Sequence, residues 1–408
     1  MQHLRYSKEP FGYLVVFPDG SIDLYKDEVA PLLSHASTAA ELEPYHLERF
    51  PVGQSWHLNS PLIVWFEVTR KCNLRCTHCY INAGRPRANE LTFEEITGIL
   101  DDLKSLGVFS LVLAGGEPYL RPDFPDILEY AAKLDFIIAV VTNGSYLTPE
   151  ILARVPRKNC RITLSVDGIA AHNFIRGGSS TFELMQQKLS LMKEMDVPHS
   201  VSTVISKANI HELEQLLTWC MEQDLIFRTV TFNPIGRGLI NLRTHALSKE
   251  DAAASANLFM MQKKFEGEKD KTIGPCVSKF FGYALNLMYM TRREHCSRSI
   301  AYIAADGEVY PCVTSAATET FGAGNIRVEK FSSLWNNSFG DMRGITWDQF
   351  EVCQTCPFSS KEYFCANRCP CMSLVLNNEL FGCGATEFEK EDLRLRTQRL
   401  RTEMGYVY

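Results

Sequence analysis

From residue 62 onward, short apolar runs alternate with stretches whose apolar residues recur every three or four positions. The first pattern predicts strands and the second amphipathic helices. Leu62–Val68 predicts a strand. Thr92–Leu106 predicts a helix, with Thr92 and Glu95 as a capping box and Ile96, Ile99, Leu100 and Leu103 on one face. The alternation continues with strand Ser110–Leu113, helix Phe124–Leu134, strand Phe136–Thr142, helix Pro149–Val155, strand Arg161–Val166, helix Phe182–Met195 and strand Ser200–Ile205. A helix starting near Ile210 carries Leu213, Leu216, Leu217, Cys220 and Met221 as one stripe. Strand Phe227–Phe232 and helix Lys249–Phe265 close the series. Six strand–helix units predict parallel strands with right-handed crossovers. A closed barrel of this kind has eight units, so the fold class is α/β with a partial (β/α)6 TIM-like barrel.

The two ends of the chain read differently. Phe11–Phe17 and Ser21–Tyr25 flank the turn signal Pro18-Asp19-Gly20 and predict a hairpin. A short helix is expected over Thr38–Leu47. Residues 1–60 thus form a small N-terminal module, either a packing extension or a peptide-recognition surface whose edge takes an added strand. The barrel spans 61–270. Over 271–384 the elements shorten and cysteines recur every few residues, which predicts a small domain held by metal. Residues 385–408 are rich in Glu and Arg and predict a terminal helix.

With 45% hydrophobic and 22% charged residues, the chain has the balance of a globular protein, not a disordered one. The net charge of −6 comes without a basic block, so nucleic acid is not an expected partner. No apolar run approaches a membrane span, and the first residues lack a signal-peptide core; no membrane association and a cytoplasmic location are expected.

Cysteine changes the picture. There are 14, and in a reducing compartment clustered thiols indicate metal rather than disulfides. Cys72, Cys76 and Cys79 stand at C-x3-C-x2-C spacing after the first predicted strand. Three thiolates fit three corners of a cubane and leave one iron open to a chelating ligand. Zinc, with no fourth ligand nearby, suits the spacing less well.

This motif after the first strand of a βα barrel resembles the radical S-adenosylmethionine (SAM) superfamily. The resemblance implies that the open iron binds the amino and carboxylate groups of SAM. It also implies that cluster reduction cleaves SAM to a 5′-deoxyadenosyl radical that abstracts hydrogen. Gly115, Gly116, Glu117 and Pro118, at the end of the second strand, resemble the segment that holds the SAM amino group. Asn143, Ser165 and Asp167 follow strands three and four, where polar contacts to SAM are expected. Arg176 resembles an arginine that pairs with the SAM carboxylate. His78 occupies a usually aromatic slot near adenine. Asn233–Gly238 lies, by position, where the adenine site would be completed.

Cys296 and Cys312, with Gly307 between them, then Cys353, Cys356, Cys365, Cys369 and Cys383, resemble the SPASM domain. That domain carries two auxiliary [4Fe–4S] clusters. Eight residues instead of five separate Cys356 from Cys365. Carried over, the first auxiliary cluster takes Cys276, Cys296, Cys312 and Cys369, and the second Cys353, Cys356, Cys365 and Cys383. Cys371 competes with Cys276, which is preferred because Cys369 and Cys371 are crowded. Cys160 and Cys220 read as core thiols. The implied cofactors are SAM and three [4Fe–4S] clusters.

The resemblance implies an oxidoreductase that modifies, and cross-links, a ribosomally made precursor peptide, with a flavodoxin or ferredoxin as reducing partner. Val313 stands where sulfatase-maturing relatives have an aspartate, which argues against that branch. The alternatives are a radical enzyme of tetrapyrrole or quinone cofactor assembly and a non-catalytic iron–sulfur electron carrier.

Overall fold

A computed structural model of the protein describes residues 4–404 apart from 19–20, 37, 48–56, 178–180, 270–276, 292–295, 361–362, 364 and 366. Strands β1 (Arg5–Glu9), β2 (Gly12–Val16) and β3 (Ile22–Tyr25) form an antiparallel sheet in that order. The expected hairpin is β2–β3, with Tyr13 opposite Tyr25 and Val16 opposite Ile22. Two residues of its predicted turn, 19 and 20, lie outside the described residues. Strand β1 was not expected. Arg-Tyr-Ser-Lys-Glu carries almost no apolar signal, because this edge strand is half solvated. The short helix Ala39–Leu42 and the 3-10 turn Glu43–Tyr45 replace the longer predicted helix.

The six predicted parallel strands are present: β4 (Ile63–Thr69), β5 (Ser110–Gly115), β6 (Ile137–Thr142), β7 (Cys160–Ser165), β8 (His199–Ile205) and β9 (Phe227–Thr231). They are adjacent in chain order, as right-handed crossovers require. On the outer side, Val64, Phe66 and Val68 pack with Ile96, Ile99, Leu100 and Leu103 of helix Phe93–Leu106. The capping box forms: Glu95 N donates to Thr92 Oγ1 (3.2 Å) and Thr92 N to Glu95 Oε2 (2.8 Å). Gly107, at φ 95°, ends that helix in the left-handed region.

The sheet does not stop at the expected boundary near residue 270. Strand β10 (Ile300–Ile303) runs parallel to β4, with Ile300 opposite Ile63 and Ile303 opposite Phe66. Strands β11 (Glu308–Tyr310) and β12 (Gly324–Asn325) add antiparallel outside it. The result is one nine-stranded sheet of order β12-β11-β10-β4-β5-β6-β7-β8-β9. The cysteine-rich region therefore shares a sheet and a core with the barrel instead of relying on cross-links alone.

Inside the curve, the N-terminal sheet contributes Leu14, Val16 and Leu24, and helix Val277–Thr291 contributes Phe280, Ala284 and Leu287. They pack with Ile63, Val112, Ala114 and Ile137, filling the β4–β6 side. The helix Glu387–Met404 stands where the tail helix was expected. Among the described residues no helix is long and apolar enough to cross a membrane.

Candidate active site

Parallel strands place their carboxyl ends on one rim, where ligands collect. The Cys72–Cys79 loop leaves β4 on that rim. Its base is closed by Cys72 N donating to Gly84 O (3.1 Å) and Gly84 N to Arg70 O (3.0 Å). Backbone N–H groups point at sulfur: Leu74 N at Cys72 Sγ (3.4 Å) and Ala83 N at Cys79 Sγ (3.3 Å). Arg176 Nη1 lies 3.9 Å from Cys76 Sγ and Asn143 Nδ2 lies 4.0 Å from Cys72 Sγ. Burial pushes the Cys76 thiol up to about 11 against the pull of Arg176, and burial likewise raises Cys72. Left alone, these thiols stay protonated. Donors aimed at sulfur in a site that disfavours free thiolate suit ligands of a metal cluster, where bonding to iron replaces the proton. When bound, the cluster and SAM together supply a hydrogen-abstracting radical.

Gly115 and Gly116, which resemble part of the segment that holds the SAM amino group, pack closely against the chain itself. A Cβ at Gly115 would stand 2.1 Å from Thr69 O, and one at Gly116 2.2 Å from Lys71 O. Gly116 N donates to Thr69 O (2.8 Å) and Glu117 N to Lys71 O (2.8 Å). The end of β5 is thus locked to the residues just before Cys72. Glu117 has no exposed surface. Its Oε1 accepts from Thr142 Oγ1 (2.7 Å) and Tyr119 N (3.3 Å), and its Oε2 from Asn143 N (2.8 Å). Burial raises its carboxyl to about 7 despite these donors. Pro118 is buried and opens the turn Pro118–Leu120. Asn143 also donates to Asn73 Oδ1 (2.9 Å), tying the end of β6 to the cysteine loop.

Asp167 is a second hub, also without exposed surface. Its Oδ2 accepts from His78 Nε2 (2.7 Å) and Arg176 Nε (2.7 Å), and its Oδ1 from Val204 N (2.9 Å). Burial alone would raise its carboxyl, but Arg176 and His78 hold it well below the usual carboxylate range. A buried ion pair of this kind is sensitive to loss of either partner. His78 is therefore anchored by its edge to Asp167, and its ring centre lies 5.8 Å from that of His245. Ser165 ends β7 and is buried.

The Asn233–Gly238 segment, placed by the sequence at the adenine site, grips the cysteine loop, and Asn241, His245, Glu67 and Tyr302 join it without having been read from the sequence. Arg237 N donates to Cys79 O (2.8 Å), Nη1 to Cys76 O (2.9 Å) and Nη2 to Ala83 O (2.6 Å). Gly236, at φ 57°, leaves no room for a side chain, whose Cβ would be 2.2 Å from Tyr80 O. Asn241 Nδ2 donates to Thr77 O (3.1 Å), and His245 Nε2 lies 2.8 Å from Thr77 Oγ1. The Gly236–Arg237 segment thus clamps the cysteine loop. Glu67 of β4 pairs with Arg70 (2.7 Å) and accepts from Tyr302 Oη (2.6 Å) of β10, joining the loop to the cysteine-rich region. No local pattern marks any of these.

Of the distal cysteines, Cys296, Cys312 and Cys371 are buried, and Cys353, Cys356, Cys365, Cys369 and Cys383 are half-buried. Cys276 lies outside the described residues. Burial pushes the Cys365 thiol to about 11, and Cys353 and Cys383 act on it as close neighbours. Lys390 feels both Cys383 and Cys356. Cys160 and Cys220 lie in the main core among apolar side chains.

Residues 66–220 match the radical SAM superfamily, and residues 295–357 match SPASM, an iron–sulfur cluster-binding domain. An AdoMet-dependent heme synthase of Methanosarcina barkeri (strain Fusaro / DSM 804) is 28% identical over 298 residues, which is 69% of this chain and 83% of that protein. Mycofactocin maturase MftC of Mycobacterium ulcerans (strain Agy99) is 26% identical over 301 residues, 72% of this chain and 79% of that protein. Streptococcus suis SuiB bound to S-adenosylmethionine shares the fold at a TM-score of 0.71 and 15% identity, covering 95% of this chain and 99% of SuiB. With the cysteine loop on the rim of a partial barrel and the cysteine-rich strands beside it, the chain carries a radical SAM domain over residues 66–220 and a SPASM domain over residues 295–357, and is a radical SAM enzyme.

Proposed function

We propose that this enzyme oxidatively modifies, and cross-links, a ribosomally made peptide at the expense of SAM. In the balanced reaction the peptide gives up two hydrogens. SAM becomes methionine and 5′-deoxyadenosine, and one proton is released. The observation that carries the peptide reading is the open side of the barrel. The apolar cover over Ile63, Val112, Ala114 and Ile137 thins along the sheet: Trp65, Ala139 and Val141 are half-buried, and toward β9, beyond buried Ser165 and Ser200, the inward positions open further. Thr163, Ser202, Val204 and Arg228 are only half-buried, and Val230 is 57% exposed. An open groove suits an extended chain, whereas a small cofactor precursor needs enclosure. The likeness to mycofactocin maturase supports the same reading. The likeness to heme synthase supports a second one, chemistry on a tetrapyrrole.

The residues divide the work. Cys72, Cys76 and Cys79 hold the cluster that binds SAM. Gly115, Gly116, Glu117 and Pro118 fix the loop's entry, and Asn143 and Ser165 border SAM. Asp167, through His78 and Arg176, positions the cysteines rather than touching SAM. Cys353, Cys356, Cys365 and Cys383 hold one auxiliary cluster. Cys296, Cys312 and Cys369 contribute to the other, for which the family pattern supplies Cys276. Three [4Fe–4S] clusters follow, and the auxiliary pair accepts the electron that leaves the peptide. Residues 1–60 serve as a peptide-recognition surface as well as a packing extension.

The reductant follows from charge. Between Arg70 and Asn89 the loop carries Arg70, Lys71, Arg75, Arg85 and Arg87 and no Asp or Glu, in a chain of net charge −6. Lys71, Arg75 and Arg85 are exposed. An acidic electron-transfer protein of flavodoxin or ferredoxin type suits this face.

The test is anaerobic incubation with SAM, reductant and a precursor peptide encoded beside the gene, read by mass spectrometry. A loss of two hydrogens per modification, with 5′-deoxyadenosine formed, is the expected result. An unchanged peptide with turnover on a porphyrin would move the assignment to cofactor assembly.

A further inference from the structure

The distal thiols group in a way the family pattern does not anticipate. Cys296 and Cys312 are buried in one shared cluster of side chains. Their backbones run together, with Ser297 N donating to Pro311 O (3.3 Å). Cys369 is the residue from which helix Pro370–Asn377 starts, and Cys371 lies in its first turn. Cys371 has no exposed surface. Its helix packs against helix Val313–Thr318, whose first residue follows Cys312, so Cys312 and Cys369 are near neighbours of its thiol, and Thr320 Oγ1 lies 3.7 Å from its sulfur.

This is not how a space-filling thiol sits. Cys220 shows that case, lying on a helix with Leu213, Leu216 and Leu217 in the main core. Cys371 instead lies beside a hydroxyl and near two other thiols, at the N-terminal end of a helix that favours negative charge. Thiols make weak hydrogen bonds, so packing such groups together in a dry site gains little by itself. As thiolate ligands around iron they gain much more.

We propose that Cys371, not Cys276, completes the first auxiliary [4Fe–4S] cluster together with Cys296, Cys312 and Cys369. This rests on the reading that the SPASM region holds two clusters. The set then lies wholly on the strand–turn segment around β10–β11 and the start of helix Pro370–Asn377. The side-by-side thiols of Cys369 and Cys371, first counted as crowding, become adjacent ligands.

The experiment is iron counting with Mössbauer spectroscopy on the full-length protein reconstituted anaerobically, comparing wild type, Cys276→Ala, Cys371→Ala and Cys371→Ser. Three clusters in the wild type correspond to about twelve irons. Cys276→Ala should keep them all, and Cys371→Ala should lose about four, one cubane. Full iron in Cys371→Ala, or a loss of one cubane from Cys276→Ala, overturns the proposal. If Cys371→Ala does not fold, Cys371→Ser decides. A changed electron paramagnetic resonance spectrum of one auxiliary cluster marks oxygen ligation and supports the proposal, while an unchanged spectrum with full iron refutes it. A wild type with only the iron of the SAM cluster would instead sink the two-cluster reading, a different and recognisable failure.

Discussion

The guanidinium of Arg176 reaches the thiol of Cys76, with Nη1 3.9 Å from Sγ, while its Nε stays 2.7 Å from Asp167 Oδ2. A positive charge anchored in the protein is thus delivered to one of the three thiols proposed to hold the SAM cluster. There it would compensate the negative charge that thiolates and a cluster bring into a buried site.

Replacing Arg176 by Met should therefore act twice. It leaves Asp167 buried beside His78 alone, at a cost of about 3–5 kcal/mol for breaking a buried pair. It also makes the cluster harder to reduce, because a nearby positive charge is lost. Denaturant unfolding checks the first effect, and a potentiometric titration the second. An unchanged potential would mean that the contact with Cys76 has no electrostatic role.

Changing Cys72, Cys76 and Cys79 together to Ala should abolish SAM cleavage and leave about eight irons in the two distal sites. Formation of 5′-deoxyadenosine under dithionite by this variant would refute the assigned site.

Gly116→Ala should displace the cysteine loop, since the new Cβ would stand 2.2 Å from Lys71 O. Neither backbone segment can yield without breaking the bonds from Gly116 and Glu117 to Thr69 and Lys71. A loss of about 2–4 kcal/mol is expected, with depletion of the SAM-cluster iron. Normal iron and an unshifted melting temperature would contradict the tight fit.

Glu117 predicts a pH dependence for the cluster-free protein. Burial raises its carboxyl to about 7 from an ordinary value of 4.5. The folded state keeps the proton while the unfolded state releases it. Stability from this group is complete below the ordinary value, falls as pH rises between about 4.5 and 7, and is flat above. The full change is about 3 kcal/mol at most. Glu117→Gln should remove this slope, as read by unfolding at a series of pH values. An identical slope in the variant would assign it to other groups.

Sequence alone determined the features that depend on neighbours along the chain. The six strand–helix units were readable because burial of one face repeats with the period of the element itself. The cysteine loop was readable because its three cysteines are three or four residues apart and stay close together whatever the rest of the fold does. Strand β1 was unreadable for the same reason reversed: Arg5–Glu9 sits on a half-solvated edge and shows no apolar face. Only the tertiary structure decided the contacts made across long separations. Gly116 against Lys71, Arg237 on Cys76 and Cys79, Tyr302 on Glu67 and Cys371 beside Cys312 all join segments far apart in the chain. Each is a single close approach or hydrogen bond, with no period to announce it. The contact of Tyr302 with Glu67 depends further on β10 docking beside β4, a pairing that four residues of generic apolar sequence could have made with many other edges.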